Sequence, residues 1–127
     1  MNLDAVIDRF AVLDIRFDAA VKKLIDDWAP ERPPGTLIMA EFGKVLAEAA
    51  KLNDFRLLAS GLGLVEEGMK DDQVVRDAVA TGLLESLLTE SSARRVDFNL
   101  VAPHLGERSK AFCLDWDAFT GVKTPGL

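Results

Sequence analysis

The chain has 127 residues, enough for one domain with a single core and too short for two. Its 49% hydrophobic and 28% charged content is ordinary for a globular protein, and its net charge of −6 lacks the basic face that nucleic-acid binding requires. Cys113 is the only cysteine, which excludes an internal disulfide and a thiolate metal cluster.

The opening MNLDAVIDRF has neither the basic start nor the apolar run of a signal peptide. Residues 3–28 place Leu3, Val6, Ile7, Phe10, Leu13, Phe17, Val21, Leu24, Ile25 and Trp28 at helical spacing, with charged residues between them. At 1.5 Å per residue an unbroken helix would reach roughly 39 Å, so a kink or break is expected within residues 10–18. Asp14, at the edge of the stripe, reads as a boundary carboxylate reaching water, with a contact to an arginine or a partner as the alternative. The run APERPPGT that follows cannot continue a helix. Thr36 is then expected to cap a helix that buries Ile38, Met39, Phe42, Val45, Leu46 and Ala49.

A tight turn with Asn53 or Asp54 as cap leads into a helix over Phe55–Met69. Its Gly61, Gly63 and Gly68 follow no strand and precede no Lys-Ser/Thr, so they predict close helix packing and not a phosphate loop. Residues 71–90, DDQVVRDAVATGLLESLLTE, are apolar on most faces and begin on two aspartates suited to a helix N-terminus. They predict a central helix covered from several sides. Arg94 and Arg95 read as helix-end charges or partners of a carboxylate. A short irregular element capped by Asp97 and stopped by Gly106 is expected over residues 98–105. A last helix over about residues 108–119 turns Phe112, Trp116 and Phe119 to one side; Gly121 ends it and VKTPGL forms a loose tail.

No set of residues forms a catalytic signature. His104 is the only histidine, and with Glu107 and Cys113 it matches no metal-ligand spacing, so neither a metal nor a cofactor is expected. Cys113, between Phe112 and Leu114, reads as a small buried hydrophobe, with a Cys113–His104 dyad as the weaker alternative. Glu85 lies beside the small-residue strip of the central helix, where packing would desolvate it and demand a partner such as Arg56, Arg76, Arg94 or Arg95. Asp115 and Asp117 flank Trp116; a partly exposed tryptophan among acids is a typical interface anchor, whereas a buried one leaves the aspartates as a solvated face.

VVRDAVATGLLESLL (residues 74–88) and HLGERSKAFCLDWDAFTG (residues 104–121) together resemble a family of small bacterial helical domains of unknown function. The closing pattern L-G-x-x-S-x-x-F-C-x-x-W-D-x-F-T-G is filled by Leu105, Gly106, Ser109, Phe112, Cys113, Trp116, Asp117, Phe119, Thr120 and Gly121. Residues 1–70 match only in helical character. The resemblance implies a compact α-helical protein and associates it with immunity partners of bacterial toxins; it supplies no catalytic residue.

The expectation is therefore a single all-α domain, residues 1–127, of five to seven helices, with solenoid-like (HEAT-like) hairpins around the helix at 71–90. The expected role is a non-enzymatic cytoplasmic interaction protein that covers a basic partner, such as a toxin, with an acidic surface carrying Glu85, His104, Asp115, Trp116 and Asp117. Neither nucleic acid nor a membrane is an expected partner. The alternatives are a small-molecule binder or enzyme with a pocket near Glu85, His104 and Trp116, and a structural homodimer subunit.

Overall fold

A computed structural model describes all 127 residues and contains six helices and no strand. The first apolar stripe divides into α1 (Leu3–Leu13) and α2 (Ile15–Trp28), which meet at Asp14 in extended conformation. The break expected within residues 10–18 is thus a single residue. Asp14 is more than a boundary carboxylate. It caps α2 by accepting the Arg16 N–H at 2.8 Å, and it takes the Arg16 Nε at 2.9 Å. The same guanidinium reaches Asp54 at 2.8 Å, which itself caps the fourth helix through the Leu57 N–H. These bonds hold both carboxyls below their ordinary range. One arginine therefore ties two helix starts together.

The proline-rich turn delivers the chain to α3 (Gly35–Lys51), which begins one residue before Thr36. Pro34 stands at the cap position and no side chain caps the helix; its carbonyl accepts from Leu37 and Ile38 instead. Three residues then lead to α4 (Phe55–Met69), with Asn53 in the left-handed region at φ 56° and Asp54 as the cap. The expected central helix, α5, runs through three contiguous segments: α-helical Gln73–Asp77, π-helical Ala78–Leu84 and α-helical Glu85–Ser92. Asp72 caps it by accepting the Val75 N–H at 3.1 Å. The π turn re-registers the apolar face, so that Val79, Leu83, Leu84, Leu87 and Leu88 are all fully buried. After a turn and a short 3₁₀ segment (Ala102–His104), α6 (Glu107–Thr120) closes the fold, ended by Gly121 at φ 78°.

One cluster of 28 buried side chains draws on every helix, so there is a single core. At its centre Phe10, Phe17 and Phe42 join α1, α2 and α3 with ring centroids 5.0–5.2 Å apart. Helices α3 and α5 cross most closely. A Cβ on Gly43 would lie 2.7 Å from the Leu83 carbonyl oxygen, and one on Gly82 would lie 2.6 Å from that of Thr36. Ser86 adds a hydrogen bond from its hydroxyl to the Ala40 carbonyl at 2.8 Å. The packing role expected for the α4 glycines holds at Gly61, against Leu46, and at Gly68, against Val79; Gly63 faces open space.

The C-terminal region departs furthest from expectation. Gly106 starts α6 and does not stop the preceding element. A Cβ there would strike the Glu66 side chain, because the Glu66 carboxylate caps α6 from outside. It accepts the Arg108 N–H at 3.0 Å, the Ser109 N–H at 2.9 Å and the Ser109 hydroxyl at 2.8 Å. The buried residues of α6 are Ser109 and Cys113, and Phe119 is 91% exposed. The tail is not loose. Thr124 is buried and donates its N–H and hydroxyl to Asp117 at 2.8 and 2.6 Å, while Leu127 packs against the core.

Candidate functional site

The five residues singled out in the sequence share none of the five main surface hollows. Glu85 is half-buried at the end of the π turn, with no ion pair or side-chain hydrogen bond to any of its four arginine candidates. The acid of α5 that is buried and paired lies five residues on: Glu90 takes the Arg95 Nε at 2.6 Å, the pairing anticipated for that arginine. His104 is half-buried and stacks on Phe55, with centroids 6.0 Å apart and planes at 21°. Trp116 is half-buried against the core. Asp115 is exposed, but Asp117 binds the tail through Thr124 and does not face solvent freely. None of the five main surface hollows is lined by Glu85, His104, Asp115 or Trp116.

Cys113 is fully buried, and desolvation, with a smaller contribution from the Asp117 charge, pushes its thiol up to about 12. A thiol so protonated is no nucleophile at neutral pH. The His, Cys, Asp and Glu side chains nowhere gather three together in a way that would hold a metal ion.

A tryptophan more exposed than the half-buried Trp116, and likewise flanked by acids, is Trp28. Both Trp28 and Ile25, read in sequence as part of the inward stripe, are exposed, at 39% and 48%. Cover thins along α2: of its fourteen residues only Phe17 is buried, and Val21 and Leu24 are half-buried against the core. Asp26 and Asp27 are exposed in the last turn of α2, and Glu31 follows where its N–H bonds back to the Trp28 carbonyl at 2.9 Å. None of these three acids has an ion-pair partner. Acids at a helix C-terminus oppose the negative end of the dipole, and α2 has no basic residue there. One signal was visible in the sequence: a pair of aspartates just before a helix-ending proline segment, where lysine or arginine would suit the backbone.

Beside this end lies a cleft of about 350 Å³ between α1, α2, the proline turn and the start of α3. Its floor is Ile7, Val21, Ile25 and Ile38, and its rim carries Asp4, Asp8, Glu31 and Arg32. Arg32 is paired across the cleft to Asp4.

These features define a class: a small all-α domain with a built core and an acidic end of α2 where Ile25 and Trp28 reach the surface. The chain belongs to a family of domains of unknown function (DUF7674), whose model matches residues 9–121. No curated protein and no solved structure matches it. None of its helices is long and apolar enough to cross a membrane.

Proposed function

We propose that this protein is a non-enzymatic interaction module of the bacterial cytoplasm, an immunity-like protein that covers a basic partner such as a toxin. The observation that carries this reading is the end of α2, where Ile25 and Trp28 are exposed beside the unpaired Asp26, Asp27 and Glu31. A tryptophan is an effective interface anchor, and the surrounding carboxylates would steer a basic surface onto it. The net charge of −6 and the resemblance of residues 74–88 and 104–121 to small acidic bacterial domains support the same role.

The test compares wild-type and Trp28→Ala baits in lysate of the native host, followed by salt-dependent binding of the purified captured protein. The expected result is a basic partner, encoded beside this chain, that the wild type retains and Trp28→Ala loses at least ten-fold. Identical capture by both baits, or a captured set with no basic member, would overturn the reading. A second reading, a homodimer, is favoured by Val12 and Ile15, both largely exposed at the α1–α2 corner. Sedimentation would show a dimer that Ile15→Lys dissociates; a monomer at all concentrations removes this reading.

A further inference from the structure

The cleft beside α2 combines two kinds of surface that water serves poorly together. Ile7 and Ile38 are buried in its floor, Val21 is half-buried and Ile25 is half-exposed, so the floor is apolar. The exposed rim acids Asp8 and Glu31 have no ion-pair partner. A group that satisfies both must carry a long apolar stem and a cationic head, which describes a lysine or arginine side chain. The chain itself favours the latter, because the guanidinium of its own Arg32 already lies on Asp4 across the same rim. Arginine's planar fork also matches carboxylates with a geometry that an ammonium cannot supply. Arg32 is exposed and held only by that one pair, so the proline turn can release it.

We infer that this cleft receives an arginine of a basic protein segment, its stem over Ile7, Val21 and Ile25 and its guanidinium shared between Asp8 and Glu31. The inference rests on the interaction reading above and names the chemistry of the partner at that end of the molecule. Arg32, a like charge on the same rim, opposes that occupant.

The test titrates the full-length protein, labelled with ¹⁵N, with an acetylated and amidated tetra-arginine peptide. The expected amide shifts centre on Ile7, Asp8, Val21, Ile25 and Glu31, and Asp8→Asn with Glu31→Gln weakens binding at least ten-fold. Arg32→Ala tightens binding several-fold, whereas removing a remote cation by Lys44→Ala does not. Shifts scattered over the acidic surface would overturn the inference. So would an equal loss of binding in the charge-matched pair Asp77→Asn and Glu107→Gln, or equal affinity for free arginine amide, which would mark a small-molecule site. Peptide binding at the cleft without differential capture by Trp28→Ala would sink the interaction reading alone. Differential capture without cleft shifts would sink only the cleft assignment.

Discussion

The crossing of α3 and α5 and the far end of α2 both contain residues that a helix disfavours, and only at the crossing does the molecule itself offset the cost. A glycine inside a helix costs about 1 kcal/mol relative to alanine. At Gly43 and Gly82 that cost is met by backbone contacts that a Cβ would prevent, in the most closely packed part of the fold. Asp26 and Asp27 also cost stability, through the dipole of α2, yet neither has an ion pair. A locally unfavourable residue that packing explains is part of the architecture. One that nothing within the chain explains is what the proposed docking role of α2 would account for.

Glycine substitutions give the largest expected effects and the sharpest check on the first half of that comparison. Gly82→Ala would press a methyl against the Thr36 carbonyl and the Met39 Cβ, 2.6 and 2.7 Å away. Overpacking of this kind costs ~1–3 kcal/mol, more than the helix propensity that alanine returns. Gly63→Ala, with nothing within 4 Å, should instead stabilise by about 0.5–1 kcal/mol. Urea midpoints at unchanged slope measure both. Stabilisation by both changes would show that the crossing is looser than its geometry and would remove the contrast with α2.

Glu66 is the next largest. Burial alone would raise its carboxyl, but bonds from Ser109 and Arg108 outweigh burial and hold it below its ordinary range. A carboxyl depressed in the folded state contributes stability above its unfolded value, near pH ~4.3, and loses that contribution as the pH falls through the folded value. Glu66→Gln should therefore cost about 1–2 kcal/mol at pH 7 and progressively less in acid, as the wild type loses its own advantage. Thermal melts of both proteins between pH 7 and pH 3 should converge toward the acid end. Parallel curves would mean that the charge on Glu66 contributes nothing to docking α6.

The contrast between legible and illegible residues has the same physical basis. Helical periodicity is local, so the spans of α3, α4 and α5 and the break near Asp14 could be read from spacing and length. Which face of a helix meets a neighbour is not local. Gly61 and Gly63 sit two residues apart with the same intrinsic preference, and only the position of Leu46 separates their roles. Glu66 and Ser109 are 43 positions apart with no pattern linking them, so the external cap of α6 was invisible and Gly106 read as a stop. Trp28, read as part of the inward stripe, is exposed for a related reason. The stripe over residues 3–28 is continuous in sequence, but its cover thins along α2, from buried Phe17 through half-buried Val21 and Leu24 to exposed Ile25 and Trp28. Glu85 looked constrained because its neighbours are small, and the helix turned a different carboxylate, Glu90, into the buried pair.

The smallest expected effect on stability bears most directly on function. Asp26→Lys with Asp27→Lys replaces two charges that oppose the α2 dipole with two that complement it, at exposed positions. Each change near a helix end is worth typically ~0.3–1 kcal/mol at low ionic strength, so the double variant should be slightly more stable than the wild type, with the gain shrinking in salt. If these aspartates exist to meet a basic surface, the same variant should lose that partner, because two attractive charges become repulsive next to Trp28. Stability and binding would then move in opposite directions from one pair of substitutions. Most damaging changes move them together, since a disrupted fold also disrupts its surface. A variant that gains stability and keeps full binding would place the interface elsewhere; one that loses stability would mean the aspartates hold the end of α2 in place.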